Sequence, residues 1–202
     1  MGSPRENVAN IPYLVQTGFG VNIQRILWWR YVISAANAEA PSATAIHAAI
    51  TMTAAAQTIT TAITNPKAPR TISLVAGHAS EVGVVTIYGT NINGDPISEA
   101  ITLTGTDAVV GAKAFKTITS LAIPARTQAT TPTVTIGTTD AYGLPLCLPA
   151  AACVYASYHA GTLEGTAATV TVDADEIEKN TVDQNSASNA DHELIFIGYI
   201  YT

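Results

Sequence analysis

The side chains that most often carry out chemistry in proteins are sparse in this sequence and fall into no known catalytic pattern. The chain of 202 residues has four histidines and two cysteines. No two histidines have the spacing of metal ligands within one element, and neither a nucleophile elbow nor a phosphate-binding glycine loop occurs. Each histidine is expected on the surface or in a turn, and the chain is predicted to be no enzyme and to need no cofactor. The histidines are His47, His78, His159 and His192.

One cluster of carboxylates stands out, at Asp173, Asp175, Glu176 and Glu178. Loop carboxylates supply the hard oxygens that Ca²⁺ prefers, but the Asp-x-Asp-x-Asp-Gly order of a calcium hand is missing. A carboxylate pair that cleaves glycosides works in a cleft lined with aromatics, which are only 6% of this chain. A solvated turn or an inter-subunit salt bridge with Lys179 or an arginine is favoured, with calcium binding and catalysis as the alternatives. No metal site is predicted.

The two cysteines, Cys147 and Cys153, lie in the apolar stretch LPLCLPAAACVYA. Two cysteines are too few for a disulfide scaffold, and their spacing matches no zinc motif. Buried free thiols are expected, and a short bridge across a turn is the alternative.

Composition favours a chain whose surface is covered by neighbours. Charged residues are 12% of the sequence, against about a quarter in ordinary soluble domains. The alternative is that Thr and Ser alone hydrate the surface.

The net charge is −6 and no run of Lys or Arg occurs, so nucleic-acid binding is not expected. The apolar stretch 11–33 is too polar for a membrane span, and no secretory signal is visible; a soluble protein made in a cytoplasm is expected.

Beyond Pro41 the chain alternates Thr and Val with apolar residues at a period of two, which is typical of half-buried strands. The turn signal Asn93-Gly94 predicts a two-residue type I′ hairpin. Strands about every ten residues, without crossover helices, predict an all-β fold, an antiparallel β-sandwich or jelly roll. The predicted strands are 45–53, 57–63, 70–76, 82–89, 97–104, 114–123, 132–137, 152–158, 167–172 and 192–201.

Residues 1–42 are interpreted as an extended N-terminal arm, and residues 43–202 as the β-sandwich domain. The first region holds both tryptophans and too many apolar residues for an exposed tail. It is predicted to pack on a neighbouring subunit; the alternative is that it completes its own sandwich with edge strands.

Trp28 and Trp29 with Arg25 and Arg30 form the best candidate for a partner interface, because Trp and Arg dominate interface hot spots. Neighbouring residues of a strand face opposite ways. At least one tryptophan should therefore point away from its own core, towards a partner. The alternative is that one Trp only fills that core. The predicted interface also includes two aromatics of the arm, Tyr13 and Phe19.

Several ordered blocks of the chain resemble a family of tailed-bacteriophage virion proteins. They begin with TNPKAPRTISLVAG, VVTIYGTNINGDPISEAITLTGT and KAFKTITSLAIPA, and continue with TVTIGTTDAYGLP and TVTVDADEIEKNTVDQNSA. The arm lies outside the blocks that carry this resemblance.

The resemblance implies a small β-sandwich head protein that decorates or cements the capsid. The implied partner is the major capsid protein, bound on the outside of the virion. Self-association is also implied, with a homotrimer preferred because capsid lattices offer three-fold sites. Two alternatives remain: a head–tail connector, tail or fibre-anchoring protein, and a host- or glycan-binding β module.

Overall fold

The computed structural model describes residues 26–201, and these residues form the predicted antiparallel all-β fold. Short 3₁₀ turns occur at Ala35–Asn37, Ala151–Cys153 and Ile177–Lys179. In chain order the strands are β1 Ile26–Ile33, β2 Ser42–Thr51, β3 Gln57–Ile59, β4 Arg70–Ala76, β5 Val82–Thr90, β6 Pro96–Thr104, β7 Val109–Phe115, β8 Thr117–Ile123, β9 Thr133–Gly143, β10 Val154–His159, β11 Thr162–Leu163, β12 Thr169–Thr171, β13 Thr181–Asp183 and β14 Leu194–Tyr201.

The strands of the described part form three sheets. Sheet I has the order β12-β13-β9-β4-β7, and β2 also pairs with β9. Sheet II has the order β3-β8-β5-β6, and sheet III has the order β1-β14-β10-β11. The long strand β9 is the spine of sheet I: β4 lies along one edge, while β2 and then β13 share the other.

Sheets I and II face each other as the predicted sandwich. The period-two pattern puts one side of each strand inwards, so Ile72 and Leu74 of β4 meet Val85 and Ile87 of β5 in one buried cluster. The same cluster also buries Phe115, Ile118, Leu121 and Ile123.

The prediction of a single strand over 114–123 is wrong. Phe115 ends β7, which pairs with β4 in sheet I, whereas Thr117 begins β8, which pairs with β5 in sheet II. The chain changes sheets at Lys116, whose backbone N–H donates to the Thr90 carbonyl at 2.8 Å. Both strands bury apolar residues in the space between the sheets, Phe115 from β7 and Ile118 from β8.

The hairpin at Asn93-Gly94 is confirmed, but its turn type is not. Thr90 pairs with Pro96, so the loop runs over 91–95. Gly94 has a φ of +91°, while Asn93 does not have a positive φ; a type I′ turn requires both. The Asn91 side chain shapes the loop instead, accepting hydrogen bonds from the N–H groups of Asn93 and Asp95 at 3.0 Å each.

Part of the predicted arm belongs to the chain's own fold. All of β1 pairs antiparallel with β14, from Ile26 opposite Tyr201 to Ile33 opposite Leu194. A second buried cluster joins Ile33 to Leu144, Val182 and Phe196. Residues 26–33 thus follow the alternative interpretation, as an edge strand, because their inward side chains complete this second core.

A buried arginine lies where the two cores meet. Arg70 begins β4, is only 2% exposed, and pairs with Asp140 of β9 at 3.0 Å. Its guanidinium donates to the Glu39 carbonyl at 2.6 Å and to the Ser188 hydroxyl at 3.2 Å, and it lies 4.5 Å above the Tyr142 ring. Burial lowers the pKa of Arg70, while Tyr142 and Asp140 oppose that shift. One cation therefore ties four separate chain segments together.

We expect Arg70→Met to lower the free energy of unfolding by about 3–5 kcal/mol, because Asp140 would keep a poorly solvated charge without a partner. Urea denaturation measures the loss. The double variant Arg70→Met/Asp140→Asn should recover part of it. The matched control is Lys67→Met, which breaks an exposed ion pair with Glu39 and should cost no more than about 1 kcal/mol. Equal losses in the two single variants would contradict this role.

A carboxylate bridges sheets II and I along one side. Glu99 of β6 accepts hydrogen bonds from the backbone N–H of Ala112 at 2.5 Å and of Lys113 at 3.3 Å, both in β7. Burial raises the pKa of Glu99, partly offset by those N–H groups. A methyl group on Gly111 would overlap the Glu99 carboxylate, so the bridge requires a glycine beside it.

Gly111→Ala should displace this carboxylate and lower the free energy of unfolding by about 1–3 kcal/mol. The control is Gly165→Ala, where an added methyl group meets nothing within 4 Å. In a double-mutant cycle, Glu99→Ala/Gly111→Ala should cost less than the sum of the single variants. Additive losses in thermal or urea unfolding would show that Glu99 and Gly111 act separately.

Candidate binding face

The edge strand β1 sends its two tryptophans to opposite sides of sheet III, as strand geometry requires. Trp29 lies opposite Gly198 of β14 and packs against the second core. A methyl group on Gly198 would overlap the Trp29 ring, so this glycine makes room for the indole. The neighbouring inward residue, Tyr31, stacks on Phe196 at 6.4 Å, and burial raises its pKa to about 12.

Trp28 lies on the outer side of the same strand and is 48% exposed. Its ring meets Tyr199 edge-on at 5.5 Å and Tyr155 edge-on at 5.9 Å, so three strands each contribute an aromatic residue. Arg30, two residues along β1, is exposed on the same side. We call Trp28, Arg30, Tyr155 and Tyr199 the aromatic face.

A β-bulge brings Tyr155 into the aromatic face. The register between β10 and β14 shifts between Val154 and Ala156, which leaves Tyr155 as the extra residue. Bulges re-aim a side chain in this way. Tyr155 is 70% exposed, the highest value among the exposed large hydrophobic residues of the described chain. Because register shifts of this kind leave no trace in a period-two pattern, sequence reasoning missed Tyr155 and its contact with Trp28.

The predicted interface residues fall into three groups. Trp28 and Arg30 are exposed together, whereas Trp29 packs inwards. Tyr13, Phe19 and Arg25 lie outside the described residues.

The acidic cluster forms ion pairs within its own chain. Lys113 of β7 contacts Glu176 at 2.9 Å and Glu178 at 3.1 Å, and Lys179 also pairs with Glu176. Hydrogen bonds from Lys179 and then Lys113 lower the pKa of Glu176. The predicted partner Lys179 is therefore present, but the pairs described here are intramolecular. Among residues 26–201, no group of three or more His, Cys, Asp or Glu is placed to hold a metal ion.

The turn that carries these acids is anchored by a buried amide. Asn180 is fully buried, and its side chain donates to the carbonyls of Asp173 and Glu176 at 2.7 and 3.0 Å. Its amide oxygen accepts from the N–H of Leu148 at 2.9 Å. The Asn180 side chain thus supplies hydrogen-bond partners to backbone groups that would otherwise be left unpaired, which explains the shape of the turn.

Two histidines that are distant in sequence lie together. The rings of His159, at the end of β10, and His192, just before β14, are 4.9 Å apart. Because the two histidines belong to different elements, the spacing of histidines within one element could not predict that they lie together. Cys147 and Cys153 are both free thiols, and Cys153 is buried while Cys147 is half-buried.

The chain matches no protein-family model, no curated protein and no solved structure. The resemblance to phage virion proteins thus stays a prediction. No helix within residues 26–201 is long and apolar enough to cross a membrane.

The two tryptophans should respond differently to truncation. We expect Trp29→Ala to lower the free energy of unfolding by about 3 kcal/mol, because it opens a cavity over Gly198. Trp28→Ala should cost about 1 kcal/mol or less, since only edge contacts with two tyrosines are lost. Thermal unfolding of the full chain measures both. Similar losses in the two variants would show that Trp28 also supports the fold.

Proposed function

We propose that this chain is a structural protein of a tailed-bacteriophage virion, a decoration or cement protein that binds the major capsid protein on the outside of the head. The aromatic face is the observation that carries this proposal. It presents Trp, Tyr and Arg, the residue types that dominate interface hot spots, on a rigid sheet. A free monomer has little use for such a surface.

The composition supports the same conclusion. With 12% charged residues, much of the surface is suited to contact with protein rather than with water. The net charge of −6 disfavours contact with the packaged genome and suits the outer side of the shell. The ordered blocks that resemble phage head proteins include β4, β5, β6 and β8, which build the sandwich.

The mechanism is burial across joints between coat subunits. A stable interface buries about 800 Å² on each partner, and each apolar Å² contributes roughly 25 cal/mol before the costs of association. Because many copies bind to one shell, a modest binding free energy at each contact adds up to a large stabilisation of the shell. A homotrimer at the three-fold positions of the lattice would give each trimer three such faces.

The aromatic face also bears on the alternatives. Trp28, Tyr155 and Tyr199 all project from strands, which suits a flat protein contact. Glycan sites group aromatics and amides on loops. A connector or tail protein would use the same face, and copy number separates that role from decoration.

Virions of the phage that encodes this chain provide the test. A map of the particle should show copies repeated over the whole coat lattice, whereas a single ring at one vertex would indicate a connector or tail protein. On particles stripped of this protein, Trp28→Ala should weaken rebinding by about thirtyfold, the effect of a hot-spot residue. The control is Tyr88→Ala, which changes an exposed aromatic of sheet II and should bind normally. Failure of the unsubstituted chain to bind the particle would overturn the proposal.

A further inference from the structure

Two imidazole rings meet at one end of sheet III. His159 is the last residue of β10, and His192 lies two positions before Leu194, the first residue of β14. Their ring centroids are 4.9 Å apart. His159 pairs with Leu194 in the ladder, and the Ala160 N–H donates to the Glu193 carbonyl at 3.1 Å. Backbone hydrogen bonds between the two segments therefore hold the rings close together.

Each ring buries a nitrogen that has no hydrogen-bond partner among residues 26–201. These atoms are Nε2 of His159 and Nδ1 of His192. Buried polar atoms in proteins are nearly always hydrogen-bonded, and a buried imidazole nitrogen without such a bond is a candidate ligand atom for a metal ion. Because the two rings are neighbours, one ion can bind both of them.

A third polar atom at the same end of the sheet is also buried without a partner. Gln184 is only 7% exposed, and its Nε2 donates at 3.0 Å to the carbonyl of Tyr158, the residue before His159. Its Oε1 has no hydrogen-bond partner in the described part of the chain. Of the five side-chain atoms in this state within that part, three therefore belong to His159, His192 and Gln184, which points to a common cause.

The other two histidines show the ordinary arrangement. His47 donates through Nδ1 to the Ala48 carbonyl at 2.8 Å, and Nδ1 of His78 accepts from the N–H of Ser80 at 3.1 Å. Each of these rings is satisfied by a residue next to it in sequence or two positions away. The unpaired nitrogens are thus a property of the pair at sheet III and not of histidines throughout this fold.

The geometry of the pair suits a zinc ion. Imidazole nitrogen binds Zn²⁺ at about 2.0–2.1 Å, and two rings that share one tetrahedral ion at that distance have centroids about 5 Å apart. The distance between the rings of His159 and His192 agrees with this value.

The charges of the surrounding segments favour a cation. Asp191 and Glu193 flank His192 in the sequence. Residues 127–202 contain no arginine and one lysine, Lys179, which pairs with acids of its own turn. The segments that carry the two rings therefore supply negative charge only.

We propose that His159 and His192 bind one Zn²⁺ ion through their buried nitrogens, with water in the remaining positions. Two protein ligands are fewer than the four of a structural zinc site, so water must complete the coordination. His159 also lines a surface cavity of about 370 Å³, through which the ion and its water ligands can enter. The Gln184 amide oxygen offers an acceptor for a hydrogen bond from bound water. The ion would link the end of β10 to the segment before β14, and so stabilise the sheet that carries the aromatic face.

Isothermal titration calorimetry of the full chain with Zn²⁺ tests the site without any virion, and so independently of the proposed function. One ion should bind per chain. His159→Gln and His192→Gln should each weaken that binding by about tenfold or more, since loss of a ligand costs at least as much as loss of a supporting residue. The control His78→Gln removes a ring that is satisfied locally and should leave binding unchanged. Thermal unfolding without metal verifies that each variant is folded.

The ring resonances of the histidines in the unsubstituted chain give a second measurement that needs no variant. Zn²⁺ should shift the signals of His159 and His192 and leave those of His47 and His78 in place. The melting temperature should rise by about 5–10 °C when free Zn²⁺ is about a hundredfold above Kd. No binding by the unsubstituted chain, or equal binding by all three variants, would overturn the proposal. Shifts at all four histidines would also overturn it, because they indicate an adventitious ion only.

Discussion

The buried charge of Arg70 is the constraint on which the arrangement of the two cores depends. A guanidinium removed from water must be met by charge and hydrogen-bond acceptors. Here they come from the connection after β1, from β9, and from the chain before β14. Asp140 shares sheet I with Arg70, whereas Glu39 and Ser188 lie in the connections that flank the strands of sheet III. A different packing of sheet III would therefore take these two acceptors away from the cation. Hydrophobic burial makes both cores stable, and the Arg70 contacts select one way of joining them.

Sheet III shows how an edge strand can serve two purposes with adjacent residues. Trp29 fills a space over Gly198 and secures β1 to the fold, while Trp28 remains at the surface with Tyr155 and Tyr199. Because the inward residue holds the strand, the outward residue is presented on a firm base. The aromatic face is therefore preorganised, which reduces the conformational entropy lost when a protein binds there.

Much of the fold could be predicted from sequence because strand alternation is a local signal. The strands β4, β5, β6 and β14 follow from period two alone. Long-range features could not be predicted in this way. The change of sheet at Lys116, the pairing of β1 with β14 and the buried position of Arg70 depend on partners distant in sequence.

The residues of the candidate site also separate into those that local sequence predicts and those that depend on contacts distant in sequence. The expectation that one of two adjacent tryptophans points outwards needed only strand geometry, and the structure places Trp28 there. Tyr155 reaches the same face through a bulge, and His159 meets His192 through tertiary packing. Neither leaves a pattern in the order of residues, so local reasoning passed over both.

The pairing of β1 with β14 has a consequence for how the molecule is made. Ile26 and Tyr201 are neighbours in space, yet almost the whole chain separates them. During synthesis β1 emerges first and the sandwich strands follow and can collapse together, but β1 gains its partner only when β14 emerges. Until then the backbone edge of β1 that pairs with β14 has no partner, so it is open to pairing with another chain.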